Sequence, residues 1–147
     1  MEPLTVERSI WINAPRERVW RAITETEQIM RWWNKDDRWE IPALRVGETI
    51  KFIFGNPVTV MLATIDVVEP PHKFSLLWPP QPQYHNLRMV LTYVLTEENG
   101  GTRVTVSETG FEALPDAVRQ ERFEKTGAGY TIVLHNLKTL LEQKTSS

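Results

Sequence analysis

Residues 102–141, TRVTVSETGFEALPDAVRQERFEKTGAGYTIVLHNLKTLL, decide the fold, because the spacing of their apolar side chains changes once. Up to Ser107 the residues alternate with period two, as a half-buried strand requires. Beyond Phe111 the recurrence is Phe123, Gly127, Tyr130, Leu134, Leu137 and Leu141, in steps of three and four. That spacing predicts a long amphipathic C-terminal helix starting near Pro115. Such a helix needs a partner for its apolar stripe, and the upstream sequence supplies one.

Working toward the N-terminus, 44–54, 58–68, 73–78 and 87–95 alternate or are rich in β-branched and aromatic residues, like 102–107. They are separated by Gly55-Asn56-Pro57, Pro70-Pro71, Pro79-Pro80-Gln81-Pro82 and Asn99-Gly100-Gly101. Connections this short join strands antiparallel, since a parallel crossover needs a dozen or more residues. At the start, Leu4, Val6, Ile10 and Ile12 share one parity, interrupted by Arg8, and predict a first strand. Asn13 is expected to accept a hydrogen bond from the free amides of the following turn, and Pro15 to open a helix through Val19, Trp20 and Ile23. Thr24 and Glu27 have capping-box spacing, which predicts a second short helix carrying Ile29, Met30, Trp32 and Trp33. A polar stretch, 34–40, follows. The economical packing is α+β: a curved antiparallel sheet of about six strands wrapped around the last helix, with two short helices after strand one.

The 147 residues are 41% hydrophobic, 24% charged and 10% aromatic, which predicts one domain over 1–147. A chain this long buries roughly 68–70% of its unfolded surface and needs no disulfide or metal to hold a core. With no Cys there is no thiolate nucleophile, zinc thiolate cluster or disulfide. Seventeen Lys and Arg against nineteen Asp and Glu leave a net charge of −2, without the single-sign field that attracts nucleic acid. The first residues, MEPLTVERSI, lack a signal pattern, and no apolar run approaches the ~20 residues that cross a bilayer. A soluble, cytoplasmic protein without membrane contact is expected. The sequence carries no signal for an oligomeric state.

Several residues punctuate this order: Asn13-Ala14-Pro15 with Val19-Trp20 and Thr24; Trp32-Trp33; Leu44-Arg45-Val46-Gly47; Glu69-Pro70-Pro71 with Phe74 and Trp78. They continue with Gly101-Thr102-Arg103-Val104, Gly110-Phe111, and Gly129-Tyr130 followed by Leu134, Leu137 and Leu140. Taken in order over nearly the whole chain, they resemble the START-like, helix-grip superfamily (SRPBCC). More narrowly they resemble the family related to the C-terminal domain of the activator of the heat-shock chaperone ATPase. The chain departs from that family at Asn13, usually Asp; at Gly47-Glu48, usually a Gly pair; and at Tyr130, usually Trp. The first two bear on a cap and a turn, the third on the polarity of a pocket. The resemblance implies a helix-grip scaffold, in which superfamily members bind lipids, sterols, polyketides or plant hormones between sheet and helix, and some cyclise or dehydrate polyketides. The narrower family implies a heat-shock chaperone as a partner. Fold alone fixes none of these functions.

A sheet bent around a helix leaves a wedge. Strand parity places Phe52, Phe54, Met61, Ile65, Phe74, Leu76, Trp78, Leu87, Met89, Leu91 and Tyr93 on the concave face, and the helix adds Phe123, Gly127, Tyr130 and Leu134. The expected ligand-binding residues are Trp33, Phe54, Met61, Ile65, Trp78, Leu87, Met89, Leu91, Phe123, Gly127 and Tyr130. Glycine inside a helix costs about 1 kcal/mol relative to alanine. Gly127 therefore marks either a backbone contact or space for a ligand. Met61 and Met89 either fill the core or line that space with adaptable thioethers. Trp32-Trp33 are expected half in the core and half at a rim, with a partner patch or a cavity lid as the alternatives.

Three residues are acid-base candidates. Glu108 shares parity with Val104 and Val106; facing inward it is a desolvated acid or base, and past the strand end it is a solvated carboxylate. Tyr130 supplies a phenol, and His85 sits in the loop 79–86 after Trp78, at a pocket mouth or simply in solvent. His72, His85 and His135 have no metal spacing, and Asp36-Asp37 read as a solvated loop. Ser9, Ser75 and Ser107 have no nucleophile elbow, and no phosphate loop occurs. No cofactor or metal is implied. The first functional reading is a binder of an apolar or aromatic metabolite, leaning away from an enzyme. The alternatives are a co-chaperone-like stress protein and a cyclase or dehydratase using Glu108, Tyr130 and His85.

Overall fold

A computed structural model of the chain describes residues 4–34, 36–55 and 57–143. Residues 1–3, read above for a signal segment, Lys35 of the polar stretch and Asn56 of an expected turn lie outside them.

Seven strands form one antiparallel sheet in the order β1-β7-β6-β5-β4-β3-β2. Strands β2 (Arg38–Glu40), β3 (Thr49–Phe54), β4 (Thr59–Glu69), β5 (Lys73–Leu77), β6 (Val90–Glu98) and β7 (Gly101–Thr109) follow one another as a meander. The first strand, β1 (Thr5–Ile12), closes the far edge against β7, from Thr5 opposite Thr109 to Ile12 opposite Thr102. The β6–β7 hairpin turns on Asn99 (φ 47°) and Gly100 (φ 78°). Two successive left-handed residues match the right-handed twist of the flanking strands, which is why Asn-Gly serves there.

The meander agrees with the alternation read from the sequence, with corrections. Among the described residues seven strands occur rather than about six, because 34–40 contains a strand of three residues, Arg38-Trp39-Glu40, too short to show a period. Strand β3 starts at Thr49 rather than 44, since the chain first turns at Gly47 (φ 90°). Strand β6 starts at Val90, so Leu87 and Met89 precede it; the Met89 carbonyl accepts the Trp78 amide (2.9 Å).

Between β1 and β2 lie α1 (Arg16–Thr24) and α2 (Thr26–Ile29). Neither uses the expected cap. Pro15 stands at the first N-terminus without a side-chain bond, and the Asn13 amide instead donates to Glu142 Oε2 (2.8 Å). The Thr24 hydroxyl donates back to the Trp20 carbonyl (2.7 Å), and Thr26 Oγ1 accepts the Ile41 amide (3.0 Å). Trp32 and Trp33 lie just past α2, whose four residues end at Ile29.

The terminal helix, α3 (Asp116–Glu142), begins immediately after Pro115 as the spacing predicts, and runs 27 residues. It buries Tyr130, Val133, Leu134, Leu137 and Leu141 in a core shared with Val6 and Ile12 of β1 and Val104 and Val106 of β7. Burying a side chain of this kind contributes about 1.5–3 kcal/mol. The curled sheet thus grips α3 along its C-terminal half. Toward the N-terminal half of α3 the two layers diverge, and a cavity opens.

Candidate functional site

The cavity encloses about 610 Å³, within the range typical of small-molecule sites. One wall is aromatic. Phe52 and Phe54, at alternate positions of β3, stack with ring centres 4.9 Å apart and planes 16° apart. Trp78, just past β5, stands 5.9 Å from Phe52, and Trp33 stands 6.1 Å away, edge-on. Behind this wall Trp39 of β2 stacks on Phe52 at 4.4 Å. Met61 of β4 and the segment from Pro80 to Gln83 complete the sheet side. The helix side is a stripe of α3: Arg122, Thr126, Gly129, Tyr130 and Val133.

Glu108 of β7 is the carboxylate of the cavity. The strand continues to Thr109, so the inward parity read from Val104 and Val106 carries through, and Glu108 is only 7% exposed. Its Oε1 accepts two hydrogen bonds, from the Tyr130 hydroxyl (2.7 Å) and Trp78 Nε1 (3.0 Å). No described residue bonds Oε2. Burial pushes the Glu108 carboxyl above its ordinary value, against the opposing pull of those two bonds and of the Arg122 guanidinium. Burial and the neighbouring Glu108 also raise Tyr130 well above the usual phenol value, and raise Tyr93, so both phenols stay protonated near neutral pH.

Trp78 is braced from behind as well. Arg88 Nε donates to the Trp78 carbonyl (2.7 Å), and Arg88 Nη2 donates to Thr64 Oγ1 (3.2 Å). The indole ring is therefore held at both its nitrogen and its backbone. Arg122 donates from Nη1 to Gln81 Oε1 (3.0 Å), and its Nη2 lies 3.9 Å from Met89 Sδ.

Of the residues expected from sequence, the cavity brings together Trp33, Phe54, Met61, Trp78, Met89, Tyr130 and Glu108. The others lie elsewhere. Ile65 is buried in the core, its amide bonded to the Glu48 carbonyl and its own carbonyl to the Gly47 amide. Leu91 faces a second, apolar void of about 20 Å³ beneath Trp33 and Trp39. Leu87 packs over Gly110, and Phe123 meets Phe111 edge-on at 5.5 Å. His85 is exposed at the end of a one-turn 3₁₀ segment, Pro82–Tyr84, with φ 57°, and does not line the cavity.

Gly127 marks neither a backbone contact nor ligand space. A Cβ there would meet the guanidinium of Arg8, which lies across the helix from β1 and donates from Nε to Thr131 Oγ1 (3.3 Å). The glycine with open space before it is Gly129, on the cavity wall, where a Cβ would find nothing within 4 Å. The stripe expected from the sequence is 123-127-130-134, whereas the cavity uses 122-126-129-130-133, which shares Tyr130. The spacing of Thr126, Gly129 and Val133 was the signal for it. Trp32 is buried, its Nε1 donating to the Ala22 carbonyl (2.8 Å), while half-buried Trp33 reaches the cavity.

Among the described residues no helix is long and apolar enough to cross a membrane, and no three His, Asp or Glu side chains cluster to hold a metal ion.

A protein from Mesorhizobium loti is similar in structure with a TM-score of 0.79 and 26% sequence identity, over 95% of this chain and 97% of that one. The Aha1 dimer from Colwellia psychrerythraea has a TM-score of 0.76 at 19% identity, over 97% and 99%. CalU16 from Micromonospora echinospora has a TM-score of 0.67 at 18% identity, over 96% and 85%. At these last two identities the likeness is one of fold. No curated protein matches the sequence. The family described as Activator of Hsp90 ATPase homolog 1-like protein matches residues 13–142. With most of its length matched and a helix-grip fold in its structure, the chain belongs to the Activator of Hsp90 ATPase homolog 1-like family.

Proposed function

We propose that this protein is a one-domain binding module for a medium-sized aromatic or apolar small molecule, held between the curled sheet and α3, and acting in the cytoplasm. The observation that carries this reading is the cavity of about 610 Å³, with an aromatic wall of Trp33, Phe52, Phe54 and Trp78. Apolar area removed from water contributes roughly 25 cal/mol per Å², so a few hundred Å² suffices for micromolar affinity after association costs. Because Trp33 and Trp78 line the wall, a ligand there changes indole emission. Titration with N-phenyl-1-naphthylamine is expected to give a saturable response that Gly129→Leu removes. A response unchanged by that substitution would place binding outside the cavity and overturn the reading.

A chemical role is a second reading, supported by Glu108, whose Oε2 has no described partner while Oε1 is fixed by Tyr130 and Trp78. Such a group can give or take a proton at a bound ligand. Loss of turnover in Glu108→Gln, with affinity kept, would support it. Association with a heat-shock chaperone rests on the family's description, and a pull-down without enrichment of Hsp90 would remove it.

A further inference from the structure

Among the described residues the cavity wall carries one cation, and its hydrogen-bond partners are neutral. Arg16, Arg38, Arg45, Arg103 and Arg119 each lie within ion-pair distance of a carboxylate, from 2.6 to 3.3 Å. Arg122, like Arg88, is half-buried with none among the described residues, and of the two it is Arg122 that lines the cavity. Its two terminal nitrogens are steadied by the Gln81 amide oxygen and the Met89 sulfur, and its guanidinium forms part of the cavity wall. A half-buried guanidinium with no carboxylate in ion-pair contact is a fixed positive centre in a low-dielectric recess, and its planar fork of donors suits an anionic oxygen pair. The one carboxylate nearby, Glu108, is already engaged at Oε1 by Tyr130 and Trp78. Beside these groups stand the parallel rings of Phe52 and Phe54, a wall suited to a flat ligand.

We propose that the cavity selects flat aromatic ligands bearing an acidic group, whose negative charge lies against Arg122 while the rings lie against Phe52, Phe54 and Trp78. This rests on the small-molecule reading above and adds the charge of the ligand. A cationic aromatic compound is disfavoured, because it would face the Arg122 charge. Burial shifts the Glu108 carboxyl above its ordinary value, against the pull of the Tyr130 and Trp78 bonds and of Arg122.

The test uses 2-naphthoate and 2-naphthamide, which share rings and size and differ in charge, titrated by calorimetry into the wild-type chain and into Arg122→Gln, Arg122→Lys and Gly129→Leu. Wild type is expected to bind naphthoate at least tenfold more tightly than the amide. Arg122→Gln should lose roughly tenfold in naphthoate affinity and less than twofold for the amide, the scale of one charge-assisted hydrogen bond. Arg122→Lys should retain part of the preference, and Gly129→Leu should abolish both. Thermal unfolding of each variant shows that it is folded. Equal affinity for the two probes, or an equal loss of both in Arg122→Gln, would overturn the anion preference while leaving a binding cavity. Binding of neither probe, or binding untouched by Gly129→Leu, would overturn the cavity reading itself.

Discussion

Glu108 is held inside the protein by two donors on one oxygen, and its protonation is tied to folding. Its carboxyl sits above the ordinary value of 4.5 because burial outweighs its hydrogen bonds. The folded chain therefore binds this proton more tightly than the unfolded chain. The stability linked to it is fully present below pH 4.5 and is lost as pH rises through the folded-state value. Glu108→Gln keeps an oxygen for Tyr130 and Trp78 and removes the titration. In urea unfolding between pH 4 and 8, the wild type is expected to lose stability relative to Glu108→Gln as pH rises; a constant difference would mean that the carboxyl titrates normally. Gly127 gives a second residue-level expectation. The atom opposing a Cβ there is the far end of the exposed Arg8 side chain, which can swing into solvent. Gly127→Ala should then gain most of the helix propensity of alanine, up to about 1 kcal/mol, less the small value of the surface bond to Thr131. A loss of more than 1 kcal/mol in the urea midpoint would show instead that Arg8 is clamped. Neither outcome concerns the cavity, and that is the practical meaning of Arg8 breaking the apolar parity of β1.

At the scale of elements, the sequence made the long periods legible and the short ones not. Strands β4 and β7 and helix α3 run for many residues, and their alternation or three-four spacing identifies them and their inward faces. Strand β2, with one inward Trp39 between two charged residues, offers no period at all. Helix α2 has four residues, and Thr24, whose spacing to Glu27 suggested a cap, spends its hydroxyl on the preceding turn. The side-chain bonds of Ser, Thr and Asn have several local destinations, and tertiary packing chooses among them. The site was half legible for a related reason. Parity fixes which strand residues face the helix, but not where along its length the sheet closes down, so Ile65 and Leu91 face inward and are buried while Met61 and Met89 reach the cavity. On α3 two stripes one residue apart satisfy the same spacing, and only packing separates them. Two predictions belong here. Gly129→Leu, on the cavity stripe, is expected to retain or raise stability by up to about 1 kcal/mol while blocking ligand, because open space lies before it. Gly100→Ala, in the β6–β7 turn at φ 78°, is expected to cost roughly 1–2 kcal/mol from left-handed backbone strain, although nothing lies within 4 Å of its Cβ. Chemical denaturation of the two variants side by side distinguishes free space from free conformation.

For the whole molecule, the apolar core at the C-terminal half of α3 supplies stability, and the diverging N-terminal half supplies space. A ligand that enters this space binds the folded state alone and stabilises it by mass action. At a hundredfold excess over its dissociation constant, 2-naphthoate is expected to add about 2.7 kcal/mol. For a chain of this size that corresponds to a rise of roughly 5–10 °C in Tm, absent in Gly129→Leu, as scanning calorimetry would record. The outer border of the sheet matters in a different way. An unpaired strand edge is a template on which other chains can stack, and long flat edges seed fibrils. Here the border at β2 consists of Arg38, Trp39 and Glu40 alone, with a charge of each sign on either side of the indole. So short a ledge, salt-bridged across itself, gives an incoming strand almost nothing to zip onto, and the β2 end of the native sheet is guarded against amyloid-like growth.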